Sequence, residues 1–170
     1  VVEVFKFFIS QPLLKYYSVD THTIYPPTLE IKWDDSVYEP GNLDIISNED
    51  IFLSLDNNKG TFHKESINRF RINVRPEFPI RTFQTSSNYT QNHALPQTSY
   101  YAIKDLDTNE FVVDYDEVAT KISCDSNSNY FDLNMNGLEP ERYYQILIKV
   151  NIGNRVIVKD EGYYFKVING

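Results

Sequence analysis

Apolar and polar residues alternate over short segments of this chain, which is the pattern of β-strands that bury one face. The segment 28–34 is a clear case, because Leu29, Ile31 and Trp33 are each followed by a charged residue. Successive side chains of a strand point to opposite faces of its sheet. We therefore expect Leu29, Ile31 and Trp33 to lie in the core of the protein.

The second half of the chain alternates more regularly than the first. The strands that this pattern predicts there cover 99–103, 111–115, 131–135, 144–150, 155–158 and 163–167. Polar turn residues join the first two of these into a β-hairpin, 99–116, and Gly153 with Asn154 makes a tight turn between two later strands. Ile146 and Ile148 are expected in the core, because they fall on the apolar face of their strand.

The composition favours strands over helices. The 170 residues include 11 Phe, 13 Tyr and 1 Trp, whereas alanine occurs only at positions 94, 102 and 119. Aromatic residues favour strands, and alanine is the strongest helix former. A helical bundle is therefore excluded and an all-β fold is predicted, in a chain long enough to bury a sizeable core.

Residues 41–98 are the least regular part of the chain, although 51–55 is predicted as a strand and 69–75 alternates between polar and apolar residues. Pro76 and Pro79 interrupt the apolar stretches there, and 83–98 is a polar loop of a length that is uncommon unless it carries a contact. We expect this region to be an insertion within a single domain that spans 18–170.

An apolar N-terminal strand or arm, 1–17, precedes this domain. Such a strand packs either on its own domain or on a neighbouring subunit, because exposed strand edges aggregate. The residues predicted for an intersubunit contact are Val2, Val4, Phe7 and Phe8 of the arm, with Tyr89 and His93 of the polar loop. Removal of 1–17 is then expected to abolish oligomer formation in sizing or native mass spectrometry.

The chain begins at Val1 and its only methionine is Met135, so we expect it to be part of something longer.

The charges and the lengths of the apolar runs argue against nucleic acids and membranes as partners. The formal net charge is −8 and no Lys/Arg cluster is present, whereas a nucleic-acid-binding face is usually basic. No apolar run approaches the ~20 residues that span a membrane. We therefore expect neither nucleic-acid nor membrane binding, and the single Cys124 excludes an internal disulfide.

No catalytic, metal or cofactor site is expected. His22, His63 and His93 lack metal-ligand spacing, and Cys124 lacks the partner signature of a catalytic thiol. The carboxylates at 34–35 and 114–117 do not match the twelve-residue calcium loop, so a solvated acidic loop is the favoured interpretation. The sequence therefore predicts a protein that is not an enzyme.

The stretch from Leu138 to Tyr144 is the most informative in the chain. Leu138, Pro140 and Tyr144 have the spacing L-x-P-x-x-x-Y, which resembles the tyrosine corner of immunoglobulin-like and fibronectin type III domains. Around it, Trp33 resembles the strand-B Trp of fibronectin type III domains. The resemblance implies a β-sandwich of this kind, with a long insertion between early strands. The alternative is that the spacing arises by chance in another β fold.

Longer strings resemble virion structural proteins of marine T4-like tailed phages. These strings cover 20–27, 99–111 and 136–144. The resemblance implies a non-enzymatic subunit of a capsid, neck, tail or baseplate, assembled in the host cytoplasm into the virion. Its partners would be other copies of itself and other virion proteins. The alternative is an adhesin or carbohydrate-binding module of a larger surface protein, against which the placement of Trp33 in the core would argue.

Overall fold

Two sheets form an all-β sandwich in the computed structural model, which describes residues 31–56, 58–80 and 90–169. The strands are β1 Ile51–Asp56, β2 Thr61–His63, β3 Ile67–Pro76, β4 Ser99–Asp105, β5 Phe111–Val113, β6 Ser123–Cys124, β7 Asn129–Asn134, β8 Tyr143–Ile152, β9 Arg155–Lys159 and β10 Tyr164–Ile168. Sheet 1 has the order β1-β3-β7-β6, and sheet 2 has the order β2-β10-β8-β4-β5, with β9 also paired to β8. All these strands belong to one compact unit, Trp33–Gly170.

The pairing is antiparallel except between β2 and β10, which run parallel. A short 3-10 turn, Met135–Gly137, follows β7 and leads towards β8. The predicted hairpin over 99–116 is confirmed as β4 and β5. The predicted tight turn is confirmed between β8 and β9, where Gly153 has a φ of 61°.

Aromatic rings fill the space between the two sheets. Phe70 of sheet 1 lies 5.3 Å from Phe62 and 5.6 Å from Phe165, both of sheet 2, measured between ring centroids. Tyr101 of sheet 2 stacks on Phe131 of sheet 1 at 4.2 Å. Tilted and offset contacts of this kind are favourable beyond the burial of area alone. Ile146 and Ile148 of β8 are also buried, as expected.

The expectation for Ile31 and Trp33 is wrong, since each is 66% exposed. No strand covers 31–37 in the described chain, and the segment first pairs at Tyr38, through a bridge to Cys124. Alternation produces a buried face only where the segment pairs into a sheet, and this one does not. Leu29 lies outside the described residues.

The expectation that 41–98 is an insertion is also wrong, because much of this region belongs to the sandwich. This region supplies β1, β2 and β3, and β3 is paired on both sides, to β1 and to β7. A long alternating strand such as β3 can lie in the interior of a sheet because it buries a large apolar area, even where irregular segments flank it. The long connection between early strands is confined to 77–98, between β3 and β4, of which 81–89 lies outside the described residues.

A buried amide fixes the end of this connection. The Asn129 side chain accepts a hydrogen bond from the Leu95 N–H at 2.7 Å and donates to the His93 carbonyl at 2.9 Å and the Ile72 carbonyl at 3.3 Å. Burial of backbone polar groups is tolerated when they are paired in this way. Asn129 therefore ties 93–95 to the start of β7, an interior strand of sheet 1.

Candidate interaction surface

The corner before β8 has the geometry that its sequence suggests. Tyr144 is buried, and its hydroxyl donates to the Glu139 carbonyl at 3.0 Å. Leu138 is buried beneath the same turn and Pro140 is half-buried. Burial raises the pKa of Tyr144. The corner therefore has a structural role, satisfying a carbonyl that no strand ladder reaches.

Replacing Tyr144 with phenylalanine is expected to lower the free energy of unfolding by about 1 to 2 kcal/mol, because the Glu139 carbonyl loses its donor. Urea denaturation measures this change. Tyr143→Phe is the matched control, since Tyr143 is exposed on the neighbouring position and no hydrogen bond of its hydroxyl is seen. Equal effects of the two changes would contradict the structural role of the corner.

The outer face of sheet 1, the side away from sheet 2, has polar groups that pair with one another. Arg69 donates twice to Asp132, at 2.8 and 2.7 Å. Arg71 donates to both carboxylate oxygens of Asp125, which lowers the pKa of Asp125 to about 2. The Arg69 guanidinium also lies 4.1 Å from the Tyr130 ring centroid. Much of the charge on this face is therefore already satisfied within it.

The outer face of sheet 2 carries large exposed apolar groups. They are Phe111, Tyr143, Val156, Val158 and Tyr164, between 46% and 66% exposed. The register of the sheet places all five outward, and it places Lys104, Gln145, Lys149 and Lys166 beside them on the same face. We call the five apolar residues the apolar face. Exposed apolar groups on one sheet face make that face a candidate interaction surface.

The strand edges differ in how well they are covered. At β6, the Cys124 N–H donates to the Val37 carbonyl at 2.9 Å, and the Glu39 N–H donates back to Cys124 at 2.8 Å. At β1, the Tyr163 hydroxyl donates to the Leu53 carbonyl at 3.1 Å. The edge of β9 has no such cover in the described part of the chain. Open edges are usually covered or blunted. Sheet 2 also ends at β2 and β5, and β9 is a further edge within it.

A polar cleft of about 500 Å³ lies on another side of the sandwich. Its lining residues are Asp34, Ser36, Tyr38, Gln97, Thr98, Tyr100, Lys121 and Ile122. A hydrogen bond from the Lys121 ammonium, with help from Ser36, lowers the pKa of Asp34 to about 2. The exposed Trp33 directly precedes this carboxylate in the chain. The cleft thus combines an ion pair and hydroxyl groups with an aromatic ring nearby.

The residues predicted for an intersubunit contact are not brought together in the described structure. Val2, Val4, Phe7, Phe8 and Tyr89 lie outside the described residues. His93 is half-buried, and its backbone N–H donates to the Val74 carbonyl at 2.8 Å. His93 is therefore bonded to strand β3 of sheet 1 and does not lie at a free loop tip.

Sequence reasoning missed the apolar face and the open β9 edge. A signal was present, because Val156, Ile157 and Val158 are consecutive. Three successive apolar residues in a strand make both of its faces apolar, while a strand with one solvated face alternates. Which of the two faces lies against the other sheet could be decided only in three dimensions.

The Cys124 thiol is poorly suited to act as a nucleophile. Burial raises the pKa of the Cys124 thiol to about 11, so the thiolate nucleophile is scarce at neutral pH. Within the same residues, no group of three His, Cys, Asp or Glu side chains could hold a metal ion. No helix in the described ranges has the length and apolarity to cross a membrane.

Comparison with protein-family models, with curated proteins and with solved structures finds no match. The fold and surface together define an all-β sandwich protein with one apolar outer sheet face. The functional argument therefore depends on that surface.

Proposed function

We propose that this chain is a non-enzymatic structural subunit of a phage virion, in its capsid, neck, tail or baseplate, built on an immunoglobulin-like sandwich. It acts through repeated contacts with copies of itself and with other virion proteins. The observation that carries the proposal is the apolar face, since large exposed apolar groups on one sheet face make it a candidate interaction surface. The resemblance of 20–27, 99–111 and 136–144 to phage virion proteins adds the class of assembly.

Strand order supports the immunoglobulin-like part of the proposal. Constant-type immunoglobulin sandwiches have the orders A-B-E-D and C-F-G in their two sheets. The order β1-β3-β7-β6 corresponds to the first, and β4-β8-β10 to the second. In this assignment β5 lies beside strand C, and Tyr144 begins strand F, where the tyrosine corner of the family lies.

Repetition of the same contact around a particle explains how weak contacts between subunits can hold it together. In a symmetric particle each subunit makes the same contact many times, so contacts too weak to hold two free molecules together still hold the assembly. The outer face of sheet 2 presents Tyr143, Tyr164 and their neighbours to a partner. The outer face of sheet 1 carries more self-paired charge, together with the exposed Ile67.

The test is incorporation into particles. Tryptic peptides of the chain are expected in gradient-purified virions of the phage that carries its gene, in constant ratio to other structural proteins. A Tyr143→Glu/Tyr164→Glu variant, supplied in trans, is expected to be excluded because it places charges on the apolar face. Ile67→Glu is the matched control, since Ile67 is 71% exposed on the outer face of sheet 1. Peptides found in the lysate but absent from purified particles would overturn the proposal.

Carbohydrate binding is a second candidate, favoured by the exposure of Trp33. An exposed indole can stack on a sugar ring while groups of the adjacent cleft hydrogen-bond its hydroxyls. Trp33 is the only Trp of the chain, so its fluorescence reports the site directly. Binding on a glycan array, with a blue shift of emission, is expected to vanish in Trp33→Ala and to persist in Tyr164→Ala. Binding retained by Trp33→Ala would exclude this site.

A further inference from the structure

Within the described ranges, strand β9 leaves its outer edge unpaired. A two-residue turn at Gly153 and Asn154 joins it to β8, so Ile152 and Arg155 form the closing pair of the hairpin. Hydrogen-bonded and non-hydrogen-bonded pairs alternate along an antiparallel ladder. Ile157 therefore bonds to β8, whereas the N–H and C=O groups of Val156 and Val158 point away from it.

The path of the early strands explains why this edge is open. β1 belongs to sheet 1, and among the described residues the chain first joins sheet 2 at β2, which pairs with β10 from Lys166 onwards. The described chain places no strand beside β9. Four backbone groups, from Val156 and Val158, thus face solvent between exposed valine side chains, without the Pro or bulge that usually protects such an edge.

The two ends of β9 carry cations in different surroundings. Arg155 forms an ion pair with Glu49, with Nη1 2.6 Å from the carboxylate oxygen. Lys159, at the other end, is followed by Asp160, whose carboxylate accepts from the Gln145 side chain at 2.6 Å and from the Gly162 N–H at 3.1 Å. The Arg155 end therefore presents a paired cation, whereas the nearest carboxylate in sequence to Lys159 is bonded elsewhere.

We propose that β9 pairs antiparallel with β9 of a second copy, about a two-fold axis at Ile157. The contact rests on the proposed assembly function, and it supplies one of the repeated contacts that this function needs. An isologous contact of this kind places the same surface on both subunits. It satisfies both open edges and joins the two copies of sheet 2 into one continuous sheet.

Geometry selects the register. With Ile157 opposite Ile157 of the second copy, Val156 lies opposite Val158, and the free groups of both strands form four ladder hydrogen bonds. If the two-fold axis lay at Val156 or at Val158, the ladder would need backbone groups of Asn154 or of Asp160, respectively. Both residues lie outside the strand. The register centred on Ile157 therefore satisfies the most backbone groups.

Charge provides a test of this register. Antiparallel pairing places Lys159 of the second copy opposite Arg155, and like charges in this position repel. Glu49 already lies against Arg155, so its carboxylate offsets part of this repulsion at each end. Replacing Glu49 with Lys removes this offset and should weaken the contact. Lys159→Glu should strengthen it, by about threefold or more in the dimer dissociation constant.

Cysteine scanning tests the pairing and its register. Cys124 is the only cysteine and is buried, so wild-type protein serves as the blank. Under mild oxidation, Ile157→Cys is expected to form a cross-linked dimer, because facing non-hydrogen-bonded positions lie about 4.5 Å apart between Cα atoms, within disulfide range. Val156→Cys and Val158→Cys are expected to remain uncross-linked. Cross-linking at 156 or 158 instead, or at none of the three, would overturn the proposal.

Sedimentation of the full chain is the second test. Two short strands bury little area, so we expect a weak dimer with a dissociation constant of about 10 to 1,000 µM. Val158→Pro removes an outward N–H without touching the β8 ladder and should leave a monomer with an unchanged fold by circular dichroism. Val158→Thr, which keeps the N–H and the branched shape, should dimerise.

The outcomes separate this contact from the wider proposal. A wild-type chain that is monomeric throughout that concentration range, or a dimer that survives Val158→Pro, overturns β9 pairing. If removal of 1–17 abolishes the surviving dimer, the contact belongs to the N-terminal arm. Neither result bears on incorporation into particles, which tests the assembly function independently.

Discussion

Replacing Phe70 with alanine is expected to lower the free energy of unfolding by about 3 to 5 kcal/mol. Phe70 is fully buried, and its ring lies 5.3 Å from Phe131 in the same sheet and contacts two rings of the opposite sheet. The change removes these contacts and leaves a cavity that a β-sandwich, held at both faces, closes only in part. Urea denaturation followed by circular dichroism measures the loss.

Phe52→Ala is the matched control for this change. Phe52 lies on the outer face of sheet 1, where it is 38% exposed, with the Arg75 guanidinium 4.2 Å from its ring centroid. Loss of this partly solvated contact is expected to destabilise by less than about 1 kcal/mol. A comparable loss for the two variants would contradict an inter-sheet core organised around Phe70.

Replacing Asn129 with alanine is expected to destabilise the protein by about 3 to 5 kcal/mol, because three backbone groups lose partners that water cannot replace. The buried Leu95 N–H is the most affected, since it donates to the amide oxygen at 2.7 Å. Denaturation measures the global effect. Hydrogen exchange at the Leu95 amide should also accelerate, because the segment that follows the long connection is no longer held to sheet 1.

Asn127→Ala provides the comparison for Asn129. The side chain of Asn127 is not seen in a hydrogen bond, and only its backbone takes part in the adjacent turn. We expect this change to stay within about 0.5 kcal/mol of wild type. If Asn127→Ala and Asn129→Ala were equally stable, the amide of Asn129 would not anchor the connection.

Local patterns were sufficient for much of the sandwich. The hairpin of β4 and β5 depends on a polar tip between alternating strands, and Asn109 there adopts a left-handed φ of 63°, as turn residues often do. The corner at Tyr144 depends on a spacing of seven residues in one segment. Both features are set by neighbours in the chain, so they can be recognised without the rest of the fold.

The expected strand over 28–34 shows where local patterns fail. Ile31 and Trp33 alternate as well as any buried strand, yet they are exposed, because sheet 1 is formed by β1, β3, β7 and β6 and no strand covers 31–37 in the described chain. Pairing is decided by which segments together bury the most area and satisfy each other's backbone groups. Those are relations between distant parts of the chain.

The candidate surface depended on the tertiary structure in the same way. The sequence by itself determined an all-β chain, several strand positions and the corner at Tyr144, because turn chemistry and alternation act over a few residues. Only the tertiary structure decided that Val156 and Val158 form an open edge beside an apolar face. Exposure of a strand depends on what packs against it, and the path that leaves β9 uncovered runs through β1 and β2, about a hundred residues earlier in the chain.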